Sequence, residues 1–172
     1  TTRLGRRAHR SARIGIGTPG TLDPMTQRLK NSNTLCLNAM PLKSDLESLI
    51  GVPLEMANDA NCFALAEAKM GVVRDVLPEA KTVWGIIMGT GVGGGIVING
   101  RLIEGLQHIA GEWGHNPLET DGPACYCGQR GCVETLISGP GVARDYAGHG
   151  GGVDVPEIVT GAAAGEVAGE AA

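Results

Sequence analysis

KTVWGIIMGTGVGGGIVING, residues 81 to 100, constrains the fold more than any other stretch of the chain. Two β-rich runs, 82–88 and 95–98, flank a segment dominated by glycine. Short apolar runs bounded by glycine read as buried strands. The connection between them, Gly89-Thr90-Gly91-Val-Gly-Gly-Gly95, has few side chains to shield its peptide groups, so its N–H groups can face a phosphate. A purely structural tight β-turn is the alternative. No Gly-Lys-Ser/Thr follows, so the segment is not a Walker A loop. Asn99-Gly100 marks a tight hairpin turn before Arg101.

Upstream, RIGIGTPG (13–20) reads as a short buried strand entering a Pro-Gly turn, and 21–40 as a polar, Asn-rich loop. PLKSDLESLIG spaces Leu42, Leu46, Leu49 and Ile50 as a helix stopped by Gly51. VPLEMAND is a second strand, and ANCFALAEAKMG an amphipathic helix ending at Gly71. Downstream, 105–132 is loop-rich. A helix runs from near Cys132 to Ile137, and a turn at Ser138-Gly-Pro-Gly141 leads into another. Residues 157–172 are helix-forming sequence without an evident cap or tertiary partner. Strands alternating with helices at this spacing specify an α/β fold. The composition shift near residue 81 separates a lobe at 14–81 from one at 82–172 that carries the cysteine loop. Residues 1–13, with five arginines, are expected to be a disordered basic segment.

The net charge of −4 speaks against a nucleic-acid partner. No apolar stretch is long enough for a membrane helix, and no signal-peptide pattern is present. Five cysteines, three of them clustered, fit a reducing cytoplasm and a metal better than a secreted disulfide scaffold. Cys36 and Cys62 read as small apolar residues, and His108 and His149 as solvated loop histidines.

Cys125, Cys127 and Cys132 place three thiols on one tight loop. A structural zinc needs four ligands, and His115 is the nearest candidate for the fourth. A Cys125–Cys132 or Cys127–Cys132 disulfide with one free thiol is the rival. Four protein ligands leave no open position for water, so such a zinc would be structural. Asn58-Asp59 closes a strand and opens a helix, where either residue can cap. The same place is where α/β proteins put ligands. Glu112, His115 and Glu134, around the cysteines, are natural partners for sugar hydroxyls.

Taken together, these pieces resemble the ROK family of sugar kinases and sugar-responsive repressors. The resemblance is carried by Met88, Gly91, Val92, Gly93, Gly95, Ile96, Gly105, Gly111, Gly114 and His115. Glu-x-Gly-His (112–115), Cys-x-Cys-Gly-x-x-Gly-Cys-x-Glu (125–134), RIGIGTPG and NDANCFALAE add to it. AGEWGHNPL, KNSNTLCLN and ETLISG look most like bacterial fructokinases. The resemblance implies the actin-like, ribonuclease-H-like fold of two α/β lobes. It also implies ATP-dependent phosphorylation of a hexose hydroxyl, fructose, glucose or mannose at the 6-OH. Asp59 would be the general base, and Asn33, Asn58, Glu112, His115 and Glu134 would grip the sugar. Gly89, Thr90 and Gly91 would face the phosphates of ATP with Mg²⁺, and zinc would sit on His115, Cys125, Cys127 and Cys132. One nitrogen of His115 would then meet zinc and the other a sugar hydroxyl. A cytoplasmic location and a homodimer of the full-length protein are implied as well. TTRLGRRAHRSAR does not match the family's first phosphate loop, Asp-x-Gly-Gly-Thr, and the adenosine-wrapping C-terminal elements have no counterpart. The chain is therefore expected to be the middle of such a kinase, incomplete at both ends and inactive alone. The alternative function is the sugar-sensing domain of a ROK-type repressor.

Overall fold

A computed structural model of the chain describes residues 13–151 and 155–163. The basic segment, apart from Arg13, and the end of the 157–172 helix lie outside the described residues. The chain forms two compact units. One contains the residues up to Gly85 together with Gly95–Ala110, and the other contains Ile86–Gly94 and the chain from Gly111 onward.

In the first unit β1 (Ile14–Thr18) pairs in parallel with β4 (Leu54–Asn58), Ile14 opposite Leu54 and Thr18 opposite Asn58. Both strands therefore end together, at the edge where parallel sheets offer ligand sites. Helix α1 (Leu42–Ile50) precedes β4 and stops where Gly51 takes a left-handed φ of 78°, as the sequence requires. The 21–40 segment is more ordered than an irregular loop. β2 (Thr21–Leu22) and β3 (Leu29–Lys30) form a short antiparallel pair, and a 3-10 turn follows at Leu35–Leu37. Two-residue strands leave no periodicity to read, and Asp23 supplies the turn chemistry instead. Its Oδ1 accepts from the amides of Met25 and Thr26 at 3.0 and 2.9 Å, and its Oδ2 meets Lys30 Nζ at 3.1 Å.

Helix α2 (Asp59–Met70) runs where the sequence places it and stops at Gly71, but its buried face is small rather than bulky. Ala60, Asn61 and Ala64 are buried, while Phe63 and Met70 are exposed. Glycines opposite permit that close approach: a Cβ at Gly85 would stand 2.8 Å from Ala64 Cα, and one at Gly95 2.8 Å from Ala60 O. A short helix α3 (Val72–Val76), absent from the sequence reading, begins where Glu67 Oε2 accepts from Val72 N at 3.0 Å.

β5 (Thr82–Met88), β6 (Val92–Ile98) and β7 (Arg101–Leu102) lie in that order in one sheet. β6 begins three residues earlier than its apolar run, so Gly93–Gly95 belong to strand rather than turn. Asn99 and Gly100 have φ of 50° and 72°, the pair of left-handed residues that a two-residue hairpin turn needs.

In the second unit α4 (Val133–Ile137) follows Cys132 as expected. Ser138-Gly-Pro-Gly141 is not a separate turn but the start of α5 (Gly139–Gly148). Ser138 Oγ caps that helix by accepting from Gly141 N at 3.2 Å, and Pro140 sits in its first turn. Helix α6 (Val155–Ala163) packs on α5 and buries Gly161, so the described part of that helix does have a tertiary partner. Among the described residues no helix is long and apolar enough to cross a membrane.

Candidate functional site

In the first unit the strand edge holds Asn58 and Asp59. Asn58 is buried and used at both ends. Its Oδ1 caps α2 by accepting from Asn61 N at 3.1 Å, and its Nδ2 donates to Gly20 O at 3.2 Å. Gly20, with φ of 75°, lies against the backbone of Ser32, since a Cβ there would stand 2.8 Å from Ser32 N. Asn58 and Gly20 thereby bring the loop after β3, with Asn33, to the end of β4. Asn38 holds that loop: its Oδ1 accepts from Ser32 N and its Nδ2 donates to Ser32 O, both at 2.9 Å. Asn33 is exposed, and its Oδ1 accepts from Thr34 Oγ1 at 3.5 Å.

Asp59 is exposed, and its Oδ1 accepts from Ala60 N at 2.9 Å. Among the described residues nothing binds its Oδ2, which leaves that oxygen for a hydroxyl. Cys62 lies beside it, under Gly17, whose Cβ position is 3.6 Å from Cys62 Sγ. Partial burial and then the Asp59 charge push the Cys62 thiol up.

The second unit gathers His115, Cys125, Cys127 and Cys132, whose ligand atoms all lie within 4.8 Å of one another. Cys125 Sγ is 3.5 Å from His115 Nδ1, and Cys127 Sγ is 3.6 Å from Cys132 Sγ. With Zn–S bonds of about 2.3 Å and Zn–N of about 2.0 Å, the edges of a tetrahedron are roughly 3.5–3.8 Å. Those two edges of the cluster have these dimensions and all its ligand atoms lie within 4.8 Å, so the donor set is compatible with zinc. The rival disulfide does not form: all five cysteines are free, and a bonded pair would lie at about 2.05 Å. Burial pushes the fully buried Cys132 thiol up to about 12, with its neighbouring thiols adding to the shift. Binding a metal therefore expels protons.

The loop is held from behind. Cys132 Sγ reaches His115 O at 3.5 Å, and Val133 N donates to Asn116 O at 3.0 Å. Ring nitrogen Nε2 of His115 is 3.0 Å from Tyr126 Oη. Burial, then the Glu134 carboxylate, push the Tyr126 phenol up to about 12.

Glu134 is directed at the glycine turn. Its Oε2 accepts from Val92 N at 2.9 Å, and a Cβ at Gly91 would lie 2.5 Å from that oxygen. Gly114 backs the same residue, since a Cβ there would collide with Val92 O. Trp113 Nε1 donates to Gly93 O at 3.0 Å, with Glu112, half-buried, just before it in the 3-10 turn Trp113–His115. Gly89 N donates to Gly91 O at 2.9 Å, and Gly89 O accepts from Gly139 N at 2.8 Å. Thr90 is exposed at the tip.

Each unit thus assembles part of the expected set: Asn33, Asn58 and Asp59 in the first, and Gly89, Thr90, Gly91, Glu112, His115, Glu134 and the cysteines in the second. Sequence reasoning missed Asn38, Trp113 and Tyr126, whose side chains tie a loop to itself, to β6 and to the His115 ring in turn. Only Tyr126 carried a signal, its place between two metal-ligand candidates.

Comparison with known proteins bears on both units. The ROK family pattern matches residues 1–172. The N-acetyl-D-glucosamine kinase of Aliivibrio salmonicida is 38% identical over 149 residues, 81% of this chain and 48% of that protein. The chain therefore spans about half the length of the curated relatives it matches. The ROK hexokinase of Thermus thermophilus superposes with a TM-score of 0.73 at 35% identity, over 95% of this chain and 53% of that one. A ROK family glucokinase from Streptomyces griseus, in complex with glucose and AMPPNP, gives a TM-score of 0.70 at 32% identity, over 83% of this chain and 45% of that one.

Proposed function

The chain belongs to the ROK family and has its actin-like α/β fold, and on that premise we propose that it is part of an ATP-dependent hexose kinase. The observation that carries the proposal is Asp59. It stands exposed at the carboxyl edge of the β1–β4 pair with one oxygen on its own helix and the other, among the described residues, unengaged. A carboxylate there can orient a sugar hydroxyl and accept its proton as the phosphoryl group arrives. The transition state of phosphoryl transfer is loose, so positioning and charge stabilisation outweigh the strength of the base.

In this proposal Asn33, Asn58, Glu112, His115 and Glu134 hold the sugar. Gly89, Thr90 and Gly91 meet the phosphates of ATP, and Mg²⁺ supplies charge neutralisation there. His115, Cys125, Cys127 and Cys132 hold a structural zinc that shapes the loop without taking part in phosphoryl transfer. Lobes at 14–81 and 82–172, a cytoplasmic location and a homodimer belong to the same proposal. The fructokinase-like stretches favour fructose. The activities of the relatives named above favour glucose or its 2-acetamido derivative.

The test is ADP release by the full-length protein across fructose, glucose, mannose and N-acetylglucosamine. Asp59→Asn is expected to abolish it with zinc content unchanged. A variant that kept its rate would remove Asp59 from the role of base. Sugar binding without any turnover would support the repressor-type sensor instead.

A further inference from the structure

We propose that Tyr126 is a positioning residue for His115: its hydroxyl holds Nε2 and so fixes the ring orientation that turns the Nδ1 lone pair into the cluster for a metal. The inference rests on reading the cysteine cluster as a metal site. Within that reading it assigns a role to a side chain that neither binds the metal nor belongs to the sugar set.

The two nitrogens of His115 face different partners. Nδ1 lies 3.5 Å from Cys125 Sγ, inside the cluster, and Nε2 lies 3.0 Å from Tyr126 Oη, outside it. A metal takes a lone pair, so Nδ1 must be bare and the ring proton must sit on Nε2. Nε2–H then donates to the phenol oxygen. Metal-bound histidines regularly fix their second nitrogen in this way, most often on a carboxylate, a carbonyl or water. Here a phenol fills that place.

The ring geometry supports the assignment. The two rings meet edge to face, with centroids 5.1 Å apart and planes at 87°. Tyr126 lies between Cys125 and Cys127, and its backbone is fixed on either side. Cys125 N donates to Gln129 O at 2.8 Å, and Gly128 N donates to Cys125 O at 3.0 Å. Tyr126 is 59% exposed, so burying apolar surface does not explain its place, and the hydroxyl on Nε2 does. There is a consequence for the sugar. The nitrogen that the family resemblance directs at a sugar hydroxyl already has a resting partner in this chain.

The test uses the whole chain, Zn²⁺ and a chelator of known affinity. Tyr126→Phe keeps the ring edge and removes only the hydroxyl. It is expected to weaken zinc binding by about tenfold, the lower end of the roughly 10–100-fold range for outer-shell partners, because the bond is exposed. In ¹⁵N-labelled, zinc-loaded protein the Nε2 proton should give a resolved resonance with a cross-peak to the Tyr126 ring protons. Tyr126→Phe should lose that resonance to solvent exchange. Gln129→Ala removes contacts to the carbonyl of His115 and to the Cys127 thiol but none to the His115 ring, so it should leave the Nε2 resonance and its cross-peak unchanged. Zinc affinity within twofold of wild type, with the resonance retained in Tyr126→Phe, would overturn the proposal. So would a wild-type spectrum with no cross-peak, which needs no variant. If the wild-type chain takes up no Zn²⁺, the metal reading itself falls and this inference with it.

Discussion

Gly91→Ala would show whether Glu134 or a ligand dictates the glycine in the turn. A Cβ at that position would lie 2.5 Å from Glu134 Oε2 and 3.4 Å from Glu134 Cδ. The φ of Gly91 is not positive, so the backbone itself accepts a side chain. What must yield is the end of a flexible carboxylate, and in yielding it gives up the 2.9 Å bond from Val92 N. Val92 is buried, so its amide is left without a partner. A hydrogen bond to a charged acceptor contributes about 1.5–3 kcal/mol, and that range is the expected cost of Gly91→Ala. Glu134→Ala orphans the same amide and should cost a similar amount.

The double variant is the decisive measurement. Once the carboxylate is gone, the added methyl has nothing to displace, so the pair should cost about as much as either change alone. The coupling energy is then about 1.5–3 kcal/mol. The assay is equilibrium urea unfolding of the metal-loaded chain, wild type and three variants, with thermal midpoints as a second readout. For a domain of this size the single changes correspond to about 3–12 °C. Stability is the proper readout because Glu134 also belongs to the proposed sugar set. Additivity within about 0.5 kcal/mol would mean that Glu134 does not hold Val92, and the reasoning fails.

Gly114→Ala should cost more stability than Gly91→Ala, because its Cβ meets the backbone oxygen of Val92 rather than a movable side chain; equal midpoints in urea would refute this. Excess chelator should lower the thermal midpoint of wild type but leave Cys132→Ser, already short of one ligand, nearly unchanged. The Asp23 carboxyl is held near pKa 2, chiefly by the Thr26 amide and Lys30. Its stabilisation of the β2–β3 turn is present above the ordinary carboxylate value of about 3.9 and lost as pH falls through the folded value. Asp23→Asn should therefore flatten the stability profile between about pH 4 and 2, measured by thermal melts.

Strands and helices with strong local signals were legible. The hairpin at Asn99-Gly100, the stop at Gly51 and the run from Asp59 to Met70 each rest on chemistry within a few residues. The cysteine cluster was legible for a related reason, since three of its four ligands lie within eight positions. β2 and β3 were not legible, because two residues cannot display a period. The start of β6 was misplaced because glycine reads as turn. Gly95 is glycine in a strand because α2 crosses too close for a Cβ. Asn38 and Trp113 escaped for want of a local signal: their partners, Ser32 O and Gly93 O, are backbone atoms 6 and 20 residues away.

The same limit governs the phosphate reading of Gly89–Gly95. A glycine run signals room, and a sequence does not say whether a ligand or the protein fills it. At Gly95 the occupant is α2, and at Gly91 it is Glu134, whereas among the described residues no atom beyond its chain neighbours lies within 4 Å of a Cβ at Gly89. The peptide groups divide similarly. The Gly89 amide is taken by Gly91 O, the Gly89 carbonyl by Gly139 N, and the Val92 amide by Glu134. Among the described residues, what the turn keeps for a phosphate is the Thr90 hydroxyl and the amides of Thr90 and Gly91. On the kinase proposal Thr90 and Gly91 therefore offer the donors, and Gly89 offers the open space beside them. Glu134 then joins that contact to the cysteine loop through a single amide. On that proposal, loss of a bound metal would loosen the turn proposed to meet ATP without the metal touching a phosphate.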